Sequence, residues 1–456
     1  MSIVDDTPIN ITGTIENQFK CKTPADLNKI TKSLDEYTSV LFGRLFNKQI
    51  TQNILPLSIK TVTFGRDYNQ VIELDSLPKG LTSLFIGAKY NQPLNIDVLP
   101  QSLTLLSFRA QQTSVYNQEF KPGVLPASLR TMLLGESYNK SLSKPGCLPG
   151  SLNTLELGRD FAQSIKVGTF QNSLTKLTME SIVPDIDIGA LPNSLIELST
   201  ESINYGFQIG LLPSSLKILR MNRGYIRLAL GITKGSLPES LESLTLGLGF
   251  NHPIQPGMLP NSLTSLTLGN QFNKTLAPGA LPSSINSLVF GDGFDQILTA
   301  NVLPSSLTSL TIGRNQTSAI SFPSLKHLNA HSLDQLNYQF ISVEQVMTLT
   351  LNEINPIIHR RSQAPITQHV DTLIINWEAI KGIDGFRLPQ TNELYIKAII
   401  KTFPNASTYI VTCSRWNYQI RGISSDMAIV YSNDVKKRLK TPSITVNHKV
   451  EYLTLS

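Results

Sequence analysis

The chain repeats one short phrase of sequence about thirteen times between Tyr37 and Ala330. Its clearest copy, residues 259–273, reads Leu-Pro-x-Ser-Leu-x-x-Leu-x-Leu-Gly-x-x-Phe-Asn. Most copies follow one another at the same interval of about twenty-two residues, and a few intervals are shorter or longer. One unit of this size cannot bury its apolar side alone, so the fixed period predicts a solenoid of stacked coils. The Leu-Pro pair that marks each coil begins at Leu55, Leu77, Leu99, Leu125, Leu148, Leu191, Leu212, Leu237, Leu259, Leu281 and Leu303.

The Leu-x-x-Leu-x-Leu segment of each coil predicts one short strand, because alternate residues of a strand share a face. In the coil that begins at Leu259, this places Leu266 and Leu268 in the core and turns Ser265 and Thr267 outward. Strands that lie one coil apart can only run parallel. We therefore expect a β-rich solenoid of about thirteen such coils, with one parallel ribbon sheet.

Three further positions of the repeat predict how the coil closes. The glycine after the strand predicts a sharp turn with positive φ, which glycine adopts without a Cβ penalty. The next aromatic residue is expected to return to the core, and the asparagine after it to bond backbone groups of its own and the neighbouring coil. Pro-Gly pieces in the return leg argue against helix and predict a thin convex side of extended or 3₁₀ structure. The aromatic positions are Phe46, Tyr68, Tyr90, Tyr138, Phe161, Phe250, Phe272 and Phe294.

The two ends of the chain depart from this period. Residues 1–36 predict an N-terminal cap with one short helix that begins at Thr23 and Pro24. Residues 331–456 repeat the strand pattern at Val346, Val370 and Val450, with helical patterns such as Glu393–Thr402 between them. We expect α/β irregular leucine-rich-like repeats and a C-terminal cap there; a separate small α/β domain is the alternative.

Composition limits the partners that we consider. Charged residues make up 16% of the chain, and its net charge of +6 is scattered, so no basic face for nucleic acid is predicted. No apolar stretch is long enough to cross a membrane, and the first residues do not resemble a secretory signal. Three distant cysteines, Cys21, Cys147 and Cys413, are expected to be reduced. These features predict a cytoplasmic or nuclear protein.

The segment Gly-x-x-Phe/Tyr-Asn-x-Pro-Ile/Leu, nearly complete at Gly247–Ile254 and Gly87–Leu94, resembles the FNIP repeat, a short variety of leucine-rich repeat. Such proteins are characteristic of social amoebae and of giant viruses that infect amoebae. Many resemble substrate-recognition subunits of ubiquitin ligases with an N-terminal F-box. The resemblance thus implies a role in target selection, although the segment before Tyr37 is too short and carries too few helices for an F-box.

Apparent catalytic and metal motifs coincide with repeat positions. Asp292 and Asp295 occupy the turn of one coil, and no glutamate follows at calcium-loop spacing. His327 and His331 lie on a predicted strand, where residues four apart do not form a helical zinc pair. We therefore expect no enzyme activity, no catalytic residue, no cofactor, no metal site and no small-molecule substrate.

The central coils break the uniform Ser/Thr pattern of the outward positions. Glu156, Lys176, Glu197 and Arg220 appear at equivalent outward positions of four consecutive coils, and Tyr205 and Tyr225 lie nearby. Long charged side chains beside aromatic ones are typical of a protein-recognition patch. The alternative is a neutralising ladder, in which Glu156 pairs with Lys176 and Glu197 with Arg220.

These patterns predict a non-enzymatic scaffold that binds a protein partner on the concave face of its sheet. A ubiquitin-ligase substrate-recognition role is what the family resemblance implies. The alternative is a structural or particle-associated repeat protein, in which the Ser/Thr face and the asparagine rows serve stability alone. A carbohydrate-binding array would need exposed aromatic residues on the open face, whereas the repeated aromatic residues occupy core positions.

Overall fold

The computed structural model describes residues 18–23, 26, 29, 37–109, 113–182, 185–202, 208–222, 232–299, 301–316, 325–332, 346–353, 370–376, 406–412, 416–424, 427–434 and 449–454. They belong to two compact units. Unit 1 ends at Asn222, and the described part of unit 2 begins at Ile232.

Unit 1 contains ten described strands that form a parallel sheet, with each strand paired to the next one along the chain. The strands are β1 (Gln18–Cys21), β2 (Ser39–Phe42), β3 (Thr61–Thr63), β4 (Ser83–Phe85), β5 (Leu105–Ser107), β6 (Thr131–Leu133), β7 (Thr154–Leu157), β8 (Lys176–Ile182), β9 (Glu197–Ser202) and β10 (Ile218–Met221). From β2 onward each strand belongs to one coil, as the repeat predicts, and β1, which lies in the segment predicted as a cap, pairs parallel with β2.

Unit 2 continues the same arrangement and then changes it. Strands β11 to β18 are parallel, whereas β18 to β21 pair antiparallel. The strands are β11 (Ser243–Thr245), β12 (Ser265–Leu268), β13 (Ser287–Phe290), β14 (Ser309–Thr311), β15 (His327–Ser332), β16 (Val346–Glu353), β17 (Val370–Asn376), β18 (Ala406–Thr412), β19 (Trp416–Ser424), β20 (Met427–Asp434) and β21 (Lys449–Thr454).

The core of each unit is built by the apolar positions of the repeat, which confirms the predicted solenoid. In β12, Leu266 and Leu268 are buried, while Ser265 and Thr267 are partly exposed. The repeated aromatic side chains also lie in the core, stacked from coil to coil. Tyr116 belongs to this aromatic row, although its coil is four residues longer than its neighbours.

The glycine after the strand is required for a different reason from the predicted one. None of these glycines has a positive φ. A Cβ on Gly65 would instead meet the carbonyl oxygen of Gly43 at 2.0 Å, and a Cβ on Gly269 would meet that of Gly247 at 2.1 Å. Successive coils approach each other too closely here for any side chain.

Positive φ occurs in the return leg, two residues before the Leu-Pro or equivalent pair. Eight glycines have φ between 80° and 85° there, and three coils of unit 1 place asparagine or aspartate at the same position. Asn and Asp tolerate the left-handed region better than other residues that carry a Cβ. The positions are Asn53, Asp75, Asp97, Gly123, Gly146, Gly168, Gly189, Gly210, Gly235, Gly257 and Gly279.

Two coils that lack the glycine after the strand have longer strands, whereas β10, which Asn222 follows, keeps 4 residues. The residue after Met179 is Glu180 and the residue after Thr200 is Glu201, and strands β8 and β9 there are 7 and 6 residues long. Strand β12, which Gly269 follows, has 4 residues. In these two coils no glycine brings the neighbouring backbone into close contact after the strand, and strand pairing continues for further residues. Glu180 is thereby added to the outward face of β8.

Two polar rows join successive coils. The amide oxygen of each repeat asparagine accepts a hydrogen bond from the backbone N–H of the next coil at 2.8–3.0 Å, which confirms the predicted role between coils. The serine of Pro-x-Ser donates to a backbone carbonyl of the preceding coil at 2.6–2.9 Å. Both side chains satisfy backbone groups that the bends would leave unpaired.

At the N-terminal end, the helix predicted from Thr23 falls largely outside the described residues. Its first turn shows the Asp26 carboxylate accepting hydrogen bonds from the backbone N–H groups of Lys22 and Thr23. These bonds and the neighbouring Lys29 hold the pKa of Asp26 near 2, below its ordinary value.

At the C-terminal end, the patterns at Val346 and Val370 form parallel strands β16 and β17, as predicted. The pattern at Val450 lies on β21, which runs antiparallel to β20, so its assignment as a repeat strand is wrong. Only two residues separate β19 from β20, and so short a connection requires antiparallel pairing. The predicted helix at Glu393–Thr402 lies outside the described residues, and the boundaries of the two terminal regions stay predictions.

Candidate functional site

The outward side chains of the unit 1 sheet form two rows that run across the strands. From β7 to β10, the first row contains Thr154, Lys176, Glu197 and Ile218. From β5 to β10, the second row contains Ser107, Leu133, Glu156, Thr178, Ser199 and Arg220. Four of the predicted site residues therefore lie on one surface, although they belong to two different rows.

A first ion-pair cluster is centred on Arg109, which the sequence analysis did not identify. Its guanidinium bonds the Glu156 carboxylate at 2.9 Å and the Glu180 carboxylate at 2.6 Å. These partners lie two and three strands away, and adjacent strands are about 4.8 Å apart. The two ion pairs therefore link the longer coil after β5 to the outward faces of β7 and β8.

The Arg109 cluster depends on an insertion in the coil that follows β5. Equivalent repeat asparagines are 22 positions apart at Asn69 and Asn91, but 26 positions apart at Asn91 and Asn117. Arg109 lies in this longer coil, where its backbone N–H donates to the Ser107 hydroxyl at 3.1 Å. The insertion was visible in the sequence, but the partners of Arg109 are 47 and 71 residues away.

A second ion-pair cluster is centred on Glu197. Lys176 lies 3.2 Å from its carboxylate on one side, and Arg220 bonds the same carboxylate on the other. The predicted pair of Glu197 with Arg220 is thus present. The predicted pair of Glu156 with Lys176 is wrong, because Glu156 pairs with Arg109 and Lys176 pairs with Glu197.

We call Arg109, Glu156, Lys176, Glu180, Glu197 and Arg220 the charged face. Its acidic groups are about three-quarters or more shielded from solvent. Burial acts to lower the pKa of Arg109, but Glu180 and then Glu156 act in the other direction, and the pKa of Arg109 is raised overall. The guanidinium is therefore a permanent charge, shared between two carboxylates.

Tyr205 and Tyr225, the two aromatic members of the predicted patch, lie outside the described residues. Their contribution to the charged face stays a prediction. The described outward positions next to it include Ile218 in the first row, which is partly exposed.

The regular coils of unit 2 offer a different outward face. From β11 to β14 its outward positions are mostly serine and threonine. The motifs weighed for metal binding also lie in unit 2: Asp295 donates its N–H to Asn273, as a repeat asparagine does. His331 lies on strand β15 and accepts a hydrogen bond from Arg314.

A search for groups of three or more His, Cys, Asp or Glu side chains that could hold a metal ion finds none among the described residues. Within the same part of the chain, no helix is long and apolar enough to cross a membrane.

Unit 1 also carries an exposed apolar ridge that the sequence analysis missed. In seven consecutive coils, the residue before the positive-φ position is apolar and exposed. Ile188 lies beside the backbone of the next coil, since a Cβ on Gly210 would be 3.6 Å from its side chain. Exposed apolar patches often mark interaction sites. The ridge consists of Leu74, Ile96, Pro122, Pro145, Val167, Ile188 and Ile209.

Comparison with solved structures finds a giant-virus protein, CroV588, described as a novel circular LRR (leucine-rich-repeat) protein. The two are 30% identical, with a TM-score of 0.51, and the match covers 78% of this chain. This chain spans 62% of the length of CroV588. A search of curated proteins found no match.

Comparison with protein-family models finds the FNIP repeat seven times, at residues 46–89, 68–110, 116–160, 143–182, 183–224, 231–271 and 272–315. Together these matches cover more than half of the chain. They include every strand of the charged face, together with the stacked aromatic and asparagine rows described above. This protein is a member of the FNIP-repeat family and has a leucine-rich-repeat-like solenoid fold.

Proposed function

We propose that this protein is a non-enzymatic scaffold that recognises a protein partner through the charged face of unit 1. Repeat solenoids of this kind are typically protein-interaction scaffolds. The observation that carries the proposal is the gathering of five charged side chains on β7 to β10 with Arg109, which follows β5, on a sheet whose other outward positions are largely small hydroxyls.

The charge balance of this face favours a protein over a nucleic acid. Three of the six side chains are basic and three are acidic, so the face has no net positive charge to attract a phosphate backbone. A protein surface with both signs of charge can complement the charged face. Such complementarity fixes the orientation of the partner and its specificity more than it adds to the overall affinity.

The internal ion pairs also prepare the face for binding. Arg109 and Glu197 each bond two partners across strands, which fixes long side chains before a partner arrives. Binding then loses less side-chain entropy. The same ion pairs also neutralise one another, as they would in a protein without a partner. The experiment must therefore distinguish the scaffold from the alternative, a structural or particle-associated protein.

A more specific version of this proposal is that the protein is intracellular and selects targets for ubiquitination. Cys21 and Cys147 are free and buried, which fits a reducing compartment such as the cytoplasm or nucleus. Burial raises the pKa of both thiols, that of Cys21 to about 11. The ubiquitination role rests on family resemblance alone.

The test is affinity capture from amoebal lysate with three forms of the tagged protein, read by mass spectrometry. The first is the wild type, and the second carries Glu156→Ser, Lys176→Ser, Glu197→Ser and Arg220→Ser. This variant keeps the net charge, because it removes two acidic and two basic groups. The third, matched variant carries Ser243→Ala, Thr245→Ala, Ser265→Ala and Thr267→Ala on the outward face of unit 2.

We expect a partner that the wild type and the unit 2 variant retain and the charge variant loses. Cullin-complex components among the captured proteins would support the ubiquitination role. Capture by all three forms would contradict recognition through the charged face. A fourth form with Ile188→Ser and Ile209→Ser then tests the apolar ridge, and loss of the partner in that form would assign recognition to the ridge. The absence of any specific partner would favour the structural role.

A further inference from the structure

Four tyrosines of unit 1 form a row in the core, with one member in each of four consecutive coils. Tyr68, Tyr90, Tyr116 and Tyr138 each have 0% exposure. Their hydroxyl oxygens are buried and have no hydrogen-bond partner among the described protein residues. Phe46 stacks before the row and Phe161 after it, so the hydroxyls occur only between these two phenylalanines.

The geometry of this tyrosine row is regular. Neighbouring ring centroids are 6.1, 6.0 and 6.2 Å apart, and the ring planes differ by 2°, 18° and 9°. Nearly parallel rings in equivalent positions are related by one shift along the stack, so their hydroxyl oxygens also repeat at about 6 Å. A direct O–H···O bond requires about 2.8 Å, so the tyrosines cannot satisfy each other.

One bridging water matches this spacing. Two consecutive hydrogen bonds of about 2.8 Å span about 5.6 Å when they are in line. Buried waters normally make about three hydrogen bonds to groups that are otherwise unsatisfied. A backbone group can supply the third partner: the backbone of Ile72 lies beside the Tyr90 hydroxyl and acts to lower its pKa, as an N–H donor does.

Energetics favour such a bridge over four unpaired hydroxyls. A buried hydroxyl without a partner is costly, and native proteins leave few of them. Phenylalanine fills the same position in three coils of unit 2, where Phe250, Phe272 and Phe294 stack at 6.0 and 5.9 Å. The stack therefore forms without hydroxyls, so stacking alone does not explain why four adjacent coils of unit 1 carry tyrosine.

We propose that each gap between neighbouring tyrosine hydroxyls binds one water molecule, so that three waters and four hydroxyls form a continuous file inside unit 1. The file ends at Phe46 and Phe161, which have no hydroxyl. Burial raises the pKa of all four tyrosines, so that each remains a neutral donor and acceptor at physiological pH.

The direct test is a high-resolution crystal structure of the wild type and of Tyr90→Phe. The wild type is expected to show one water in each of the three gaps, within about 3 Å of both flanking hydroxyl oxygens. Tyr90→Phe should lose the two waters that Tyr90 contacts and keep the one between Tyr116 and Tyr138. Gaps without density in the wild type would overturn the proposal.

The sign of the stability change gives a second test. If waters satisfy the hydroxyls, Tyr90→Phe breaks the file and lowers Tm by roughly 2–4 °C. If the hydroxyls are unpaired, the same change removes a desolvated polar group and raises Tm or leaves it unchanged, which would overturn the proposal. Phe272→Tyr is the matched control, because a lone hydroxyl in the unit 2 row has no neighbouring hydroxyl and should lower Tm.

Discussion

The outward faces of β7–β10 in unit 1 and β11–β14 in unit 2 differ, although the strands below them share one core pattern. Leu177 on β8 and Leu266 on β12 hold the same inward position, and both are fully buried. On the outward side, Lys176 and Glu197 carry paired charges, whereas β11 to β14 of unit 2 each have serine at the first outward position. The inward positions of the repeat are constrained by packing, whereas its outward positions are free to differ.

The glycine after the strand marks the same contrast. Where it is present, the next coil packs directly against its backbone, and the strand is short. Where it is missing, after Met179 and Thr200, the strand continues and Glu180 joins the outward face. In these two coils the missing glycine coincides with a longer strand, whereas β10, which Asn222 follows, has 4 residues.

The largest expected effect tests the shared core. Leu266→Ala and Leu177→Ala should each lower the free energy of unfolding by about 2–5 kcal/mol, because each leaves a cavity between stacked coils. Chemical denaturation of both variants measures this. A small effect at Leu266 would mean that the inward assignment is wrong, and a small effect at Leu177 alone would mean that the central coils have a different core.

A second substitution tests the close approach of the coils. Gly269→Ala should cost about 1–3 kcal/mol, since its Cβ would lie 2.1 Å from the Gly247 carbonyl oxygen, and the backbone must shift. Gly150→Ala is the matched control, because no atom lies within 4 Å of its Cβ position. Equal denaturation midpoints for these two variants would refute the steric account of the glycine row.

The smallest expected effect concerns the charged face. Arg109→Ala should lower stability by about 0.5–1 kcal/mol at low salt, and less at high salt, because its ion pairs are only partly shielded. The matched control is Lys89→Ala, which breaks the more exposed pair with Asp67 and should have no measurable effect. A salt-independent loss at Arg109 would indicate that packing of its side chain, and not its ion pairs, is its main contribution.

The sequence predicted the features that depend on local alternation and on a fixed period. The inward leucines, the outward hydroxyls, the aromatic row and the asparagine bonds between coils follow from positions within one repeat. Features that depend on contact between coils were missed or wrong. The role of Gly65 requires knowledge of how closely the preceding coil approaches, and Arg109 bonds residues that no spacing rule connects to it.

The tyrosine row shows the same limit. Tyr116 was not assigned to the aromatic row, because its coil is four residues longer than the repeat. Only stacking of the coils places it between Tyr90 and Tyr138 and leaves four hydroxyls in line. The antiparallel pairing of β21 was not predicted for a related reason, since alternation of apolar residues fits parallel and antiparallel pairing equally well.

The most direct test of the central claim is the affinity of the captured partner for the three protein forms, measured by isothermal titration calorimetry. Recognition through the charged face predicts that Glu156→Ser, Lys176→Ser, Glu197→Ser and Arg220→Ser together weaken binding at least about tenfold, a loss of about 1.4 kcal/mol or more. The unit 2 variant should bind like the wild type. Equal affinity of the charge variant and the wild type would contradict the account.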